Sequence, residues 1–114
     1  MTPLKTMLDA YIAAIYFTET GDEGQPPADA KLTGISRVRA QQACSQFIET
    51  TKELEVEDFD WVQAGHDLWL TRNGHGAGFW DRDPSVYGWL GGIELKTIFT
   101  AIAKSMGEHY VEFK

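Results

Sequence analysis

The sequence predicts an α+β fold in which three main helices pack on a small antiparallel sheet of about three strands. Segments 4–17 and 93–106 repeat apolar residues at three- and four-residue spacing, which is typical of amphipathic helices. Asn73-Gly74 lies between two alternating runs, which indicates a central β-hairpin. A chain of 114 residues is long enough for one core, so we expect a single domain over residues 1–114.

The first helix is predicted from Leu4 to about Phe17, with Thr2 as its cap and Pro3 at its first position. Its polar positions carry Lys5 and Asp9 but no basic face, so we interpret it as a core helix rather than a membrane-surface helix. Residues 19–31 are rich in Gly, Pro and acidic side chains and predict a mobile acidic loop within the domain.

A second helix is predicted from Ser36, as its cap, to about Leu54. Arg37 and Arg39 lie in its first turn, where the helix dipole disfavours cations, so they mark either a partner site or a solvated face. The lone Cys44 falls on the apolar stripe and is interpreted as a buried small hydrophobe.

An acidic segment follows, in which residues 53–67 contain six acids and no Lys or Arg. The predicted acidic surface consists of Glu53, Glu55, Glu57, Asp58 and Asp60. It is a solvated face or an imitation of nucleic-acid phosphates, because the calcium-loop pattern is absent. A short helical turn over residues 60–64, capped by Asp60 and stopped by Gly65, is expected to lead into the hairpin.

The hairpin has a two-residue loop at Asn73-Gly74 or a four-residue loop over residues 73–76, and both registers give the same faces. One face carries Leu68, Leu70, Ala77 and Phe79 and is predicted to be core; the other carries Trp69, Thr71, Gly78 and Trp80 and is predicted to be exposed. Gly78 is explained by the close approach of another backbone.

The remaining segments predict a turn at Asp83-Pro84-Ser85, an aromatic loop over residues 87–92, and a third helix over residues 93–106 that Gly107 stops. Residues 109–113 alternate and predict a last strand that completes the sheet.

Composition limits the possible functions. The formal charge of −7 argues against direct nucleic-acid binding and suits solubility, a basic protein partner or imitation of a polyanion. Apolar runs are too short to span a bilayer and no export signal is present, so we expect no membrane association and a cytoplasmic location. One cysteine excludes a disulfide framework within the chain and a multi-cysteine zinc site. We expect no cofactor and no metal, since His66 and His75 are too far apart on a hairpin to share an ion.

Two kinds of site are open on the predicted hairpin. His66 faces Asp81 in one register and Asp83 in the other, which is either a general-base pair or an ordinary ion pair. The exposed face and tip instead favour protein binding, because exposed Trp and Arg are typical of interfaces. The predicted binding residues are Trp69, Arg72, Asn73, His75, Trp80 and Arg82.

The nineteen residues AGHDLWLTRNGHGAGFWDR, from Ala64 to Arg82, resemble the signature of a group of small uncharacterised proteins from bacteriophages and prophages. The similarity extends in outline to the first helix, the acidic loop and the closing helix with Gly107-Glu108. Asp83-Pro84-Ser85 stands where those proteins have a glycine-rich turn, so this region departs from the pattern.

The resemblance implies a phage origin and brings no catalytic residues with it. Phage proteins of this size are often accessory factors that bind and modulate or inhibit a host protein, including defence components such as CRISPR systems. We therefore expect a phage-encoded protein-interaction module in the infected cell. A small enzyme that uses His66, or an acidic nucleic-acid mimic, is the alternative.

Overall fold

The computed structural model describes residues 2–54, 59–74 and 77–114. The chain has an α+β fold that is mostly helical, with one two-stranded antiparallel sheet among the described residues. In chain order the elements are α1 (Pro3–Glu19), α2 (Gly34–Lys52), α3 (Trp61–Arg72), a 3₁₀ turn (Phe79–Asp81), α4 (Pro84–Tyr87), β1 (Trp89–Leu90), β2 (Ile93–Glu94) and α5 (Leu95–Ser105). None of the described helices is both long and apolar enough to cross a membrane.

Helix α1 is confirmed together with its cap. The Thr2 hydroxyl accepts a hydrogen bond from the Lys5 amide at 3.2 Å, and Pro3 occupies the first position. Helix α2 is also confirmed, but its cap is Thr33, whose hydroxyl accepts from the Ser36 amide at 3.3 Å. Ser36 is buried inside the helix, and its hydroxyl oxygen accepts from the Glu112 amide at 2.9 Å.

The predicted hairpin is wrong, because its first half belongs to helix α3 and its second half contains a 3₁₀ turn. Asp60 caps α3 as predicted, since its carboxylate accepts from the Gln63 amide at 3.0 Å. Gly65, however, does not stop the helix, which continues to Arg72. Asn73 is the C-cap and Gly74 follows with φ +65°, the left-handed conformation that ends many helices.

The chain then folds back on α3 at Gly78. A Cβ atom at this glycine would overlap the hydroxyl of Thr71, and the same hydroxyl accepts from the Phe79 amide at 3.1 Å. The close approach predicted for Gly78 is therefore confirmed, although the neighbouring backbone is a helix rather than a strand.

The sheet is smaller than predicted. Trp89 pairs with Glu94 and Leu90 with Ile93 across Gly91-Gly92. Strand β1 thus lies in the segment predicted as an aromatic loop, and β2 lies where the third helix was predicted to begin. The predicted last strand is wrong in extent, since residues 109–113 form a single antiparallel bridge, between Leu32 and Phe113. A three-stranded sheet is absent from the described ranges, whereas α5 and its stop at Gly107 agree with the predicted third helix.

The core is built around stacked aromatic rings. The rings of Phe47 and Phe79 are parallel with centroids 5.5 Å apart, and Phe99 meets both of them edge-on. Residues 20–31 are irregular, as predicted, whereas Glu19 still belongs to α1; the mobility of this loop stays a prediction.

Candidate functional site: a groove between α1 and α3

Helices α1 and α3 approach each other closely because small residues line their contact. A Cβ atom at Gly65 would overlap the carbonyl oxygen of Met7 and lie 2.8 Å from the Cβ atom of Ala10. Ala14 and Ala64 are buried in the same core. The two backbones are therefore near enough that short side chains leave a groove along the outer side of the pair.

This α1–α3 groove consists of two adjoining hollows of 380 and 350 Å³ that share Ala13 and His66. The first is lined by Ala13, Ala14, Phe17, His66, Leu70 and Arg82, and the second by Thr6, Asp9, Ala10, Ala13, Val62 and His66. Phe17 stands at one end with 87% of its surface exposed, and Val62 is half exposed. Large apolar side chains beside a groove lined mainly by alanine and other apolar groups are typical of a protein-binding surface.

His66 lies in the middle of this groove rather than in a catalytic pair. Within the described ranges, no hydrogen bond or ion pair joins it to Asp81 or Asp83. The Asp83 carboxylate instead caps α4 by accepting from the amide and the hydroxyl of Ser85, at 2.9 and 2.7 Å. Those bonds lower the pKa of Asp83. His66 is therefore not joined to Asp81 or Asp83 among the described residues, and its use as a general base stays a prediction.

Arg82 lines the groove and forms an ion pair that the sequence did not indicate. Its Nε and Nη2 atoms lie 2.9 and 2.8 Å from Oδ1 of Asp67, which is wholly buried. The Tyr87 hydroxyl donates to the other carboxylate oxygen at 2.6 Å, and Gln63 donates to Oδ1 at 3.1 Å. The hydrogen bond to Asp67 raises the pKa of Arg82, and burial raises that of Tyr87. Asp67 thus joins α3 to the 3₁₀ turn and α4.

The predicted exposed tryptophan face does not exist, because Trp69 is buried in the core. Its indole N–H donates to the Thr18 hydroxyl at 2.8 Å, across the α1–α3 contact. Asn73 is also a structural residue, since its amide group donates to the Trp69 carbonyl and accepts from the His109 amide, at 3.0 and 3.1 Å. These contacts remove Trp69 and Asn73 from the predicted binding surface.

Arg72 points inward as well. It donates to the carbonyl oxygens of Gly107 and Met106 at 2.9 and 3.4 Å and to the Tyr11 hydroxyl at 3.1 Å. Of the six predicted binding residues, Trp80 is the exposed one among those described, with 49% of its surface accessible. His75 lies outside the described residues.

Trp80 belongs to a second set of exposed apolar side chains, which we call the β1–β2 set: Trp80, Val86, Trp89, Leu90 and Ile93. Lys96, which lies just after β2, donates to the carbonyl oxygens of Trp80 and Arg82 at 3.4 and 2.8 Å. The 3₁₀ turn is therefore held beside the start of α5, close to the small sheet.

The acidic surface is described at its two ends only. Glu53 is the exposed C-cap of α2, and Asp60 is the exposed cap of α3. Glu55, Glu57 and Asp58 lie outside the described residues, so the spaced row of a nucleic-acid mimic stays a prediction. Among the described side chains, no three His, Cys, Asp or Glu residues lie together as metal ligands.

His66 and Arg82 were predicted as site residues, but the residues that α1 contributes to the groove were missed, although the sequence carried a signal for them. Thr6, Ala10, Ala13 and Phe17 repeat at four- and three-residue spacing, on the side of α1 away from the main apolar stripe. Phe17, at the end of this second stripe, is an aromatic residue that lies outside the core. Reading both faces of α1 would have indicated the groove.

Comparisons with protein-family models, with curated proteins and with solved structures found no match to this chain.

Proposed function

We propose that this chain is a phage-encoded accessory protein that binds a host protein and modulates or inhibits it. The phage origin and the host setting rest on the resemblance of residues 64–82 to phage proteins. The observation that carries the binding role is the α1–α3 groove with the exposed Phe17 at its end. A side chain as large as Phe is costly to leave in water, and burying it in a complex is favourable.

The partner surface that fits this groove is an amphipathic helix or strand with basic residues beside its apolar stripe. The hollows accept apolar side chains, because Ala13, Leu70 and Phe17 form much of their walls. The chain carries a formal charge of −7, and Asp9 lies at the groove, so a basic partner would be attracted by the overall field. We propose that the partner is a host protein with such a segment, and defence components are among the candidates.

Affinity capture followed by measured binding tests this proposal. The tagged protein is used to capture partners from a bacterial lysate, and the dissociation constant of each purified partner is then measured for the wild type and for Phe17→Ala. Phe17 is almost fully exposed, so the substitution leaves the fold intact. Loss of an aromatic hot spot of about 2 kcal/mol would weaken binding by about 30-fold.

Trp89→Ala is the matched control, because Trp89 is another exposed aromatic residue but belongs to the β1–β2 set and does not line the groove. We expect its dissociation constant to stay close to that of the wild type, and higher salt to slow association of both proteins. If a captured partner binds Phe17→Ala as tightly as the wild type, the α1–α3 groove is not the binding surface. If no captured protein shows saturable binding, the proposed binding function is wrong.

A further inference from the structure

A second opening lies on a different part of the molecule, where α2, the end of α3 and the segment after α5 meet. It has a volume of 340 Å³ and shares no residue with the α1–α3 groove. We call it the basic cleft, and its polar lining includes Arg39, Gln42, Gln46, Arg72, Glu108 and His109. Known ligand pockets span about 300–1,000 Å³, so this cleft has room for a small molecule.

His109 in this cleft has a defined tautomer. The Arg72 guanidinium has only donors, so the Tyr11 hydroxyl accepts its hydrogen bond at 3.1 Å. The hydroxyl proton is then free to donate to Nδ1 of His109, which lies 2.7 Å away. Since Nδ1 accepts, the neutral imidazole carries its proton on Nε2.

That Nε2–H group has no hydrogen-bond partner among the described residues, although His109 is only 5% exposed. Buried polar groups in folded proteins nearly always have a partner, and an exception calls for an explanation. The Nε2 atom itself is covered in this structure, so an acceptor in the cleft supplies the missing partner only after a small movement of the His109 ring or of the residues over it.

The charges around the ring define the kind of acceptor. Burial, followed by the positive charges of Arg72 and Arg39, lowers the pKa of His109 to about 4, so both guanidinium groups act on the ring and the ring is neutral at pH 7. Gln42 and Gln46 are one turn apart on α2 and add amide donors, and Glu108 is the one acid in the lining. The cleft is thus rich in donors and locally basic in a chain with a net charge of −7.

We propose that the basic cleft binds a small molecule through an oxyanion, either a carboxylate or a phosphate. Once the ring has moved, an oxygen of that group accepts from Nε2 of His109, while Arg39 supplies a charge-assisted hydrogen bond from α2. Arg72 uses three of its five N–H groups on Gly107, Met106 and Tyr11, so it holds His109 in place and adds positive charge beneath the ligand.

The test is a titration of the full chain followed by NMR of the histidine side-chain nitrogens. Inorganic phosphate and malonate are the two probes, and sodium chloride at matched ionic strength is the reference. We expect a saturable shift of the His109 Nε2 resonance with at least one probe. A response to phosphate alone assigns a phosphate ligand, and a response to malonate alone assigns a carboxylate.

Arg39→Gln and Arg37→Gln form the matched pair of variants. Both residues are exposed on the first half of α2 and carry the same charge, but only Arg39 lines the cleft. We expect Arg39→Gln to weaken binding by about tenfold and Arg37→Gln to leave it unchanged within about twofold. Equal weakening by both variants, or no saturable shift with either probe, would overturn the proposal. A loss of groove binding in Phe17→Ala would not affect it.

Discussion

At the scale of single residues, the structure assigns inward roles to side chains that the sequence placed at the surface. Trp69, Arg72 and Asn73 each complete a hydrogen bond between elements that are distant in the chain. Their polar atoms suggested contact with a partner, but Trp69 and Arg72 donate to hydroxyl and carbonyl oxygens of the chain itself, and the Asn73 amide oxygen accepts from the His109 amide. Sequence alone does not distinguish the two uses, because an Arg fork binds a partner's carboxylate and a helix C-terminus equally well.

The buried imidazole of His109 predicts a stability that depends on pH. Its pKa is lowered to about 4 in the folded chain from an ordinary value near 6.5, so the unfolded chain binds the proton more tightly between these limits. The contribution of His109 to the free energy of unfolding is therefore at its maximum above pH 6.5, and it falls as the pH drops towards 4. From pH 7 to pH 5 the loss attributable to His109 is about 2 kcal/mol.

Urea unfolding at pH 7 and pH 5 measures this effect, with His109→Gln as the comparison. Gln does not titrate in this range, so the variant should lose less stability on acidification than the wild type by about that amount. Equal losses in both proteins would mean that His109 does not titrate in this way.

At the scale of elements, the close contact of α1 and α3 depends on one glycine. We expect Gly65→Ala to lower the free energy of unfolding by at least about 2 kcal/mol, because its methyl group would overlap the Met7 carbonyl. Gly34→Ala is the control, since Gly34 begins α2 and a Cβ atom there meets nothing within 4 Å. Gly34→Ala should leave the free energy of unfolding unchanged or raise it slightly.

Chemical denaturation of both variants supplies the measurement. If Gly65→Ala were as stable as the wild type, the helices would have room to separate, and the close approach would not determine the groove.

The elements that the sequence predicted well are those with one buried face. Helices α1 and α5 lie at the edge of the core, so their apolar residues recur at helical spacing and their ends carry clear signals in Thr2 and Gly107. Asp60 was also predicted as a helix cap from its local chemistry, although for a short turn rather than for the whole of α3. Local chemistry decides these features, and local chemistry is visible in a single sequence.

Helix α3 was misread because it is buried on more than one side. It packs against α1, the 3₁₀ turn and α5, so Leu68 and Trp69 are both in the core and the helical period is lost. Asn73-Gly74 added a second ambiguity. A left-handed glycine after Asn serves a hairpin turn and a helix C-terminus alike, and only the packing of the whole chain selects between them.

The two candidate sites could be predicted only in part for a related reason. The second stripe on α1 was present in the sequence, and Arg39 was identified as a cation in the first turn of the predicted second helix. Their partners lie on α3 and after α5, at separations that no local pattern reports. The prediction of which surface binds therefore required the tertiary structure.

At the scale of the whole molecule, one aromatic core joins all the helices, and Cys44 lies fully inside it. Burial raises the pKa of its thiol to about 12, so the reactive thiolate is scarce in the native state. The thiol should therefore report the opening of the core as a unit.

We expect Cys44 to resist a thiol reagent such as 5,5′-dithiobis(2-nitrobenzoate) in native buffer and to react fully in urea. The labelling rate should rise with urea in parallel with the equilibrium unfolding curve. Rapid labelling in native buffer would show that the core around α2 opens locally, without global unfolding.

The hydrogen bond between Tyr11 and His109 also constrains the order in which the molecule is assembled. Its two residues are 98 positions apart, so it closes almost the whole length of the chain into one loop. Long loops close late in folding because their entropy is lost before distant contacts form. During synthesis α1 can pack against α3 before the segment around His109 has been made. The basic cleft, in contrast, comes into existence only when the segment around His109 docks, so ligand binding there would report completion of the fold.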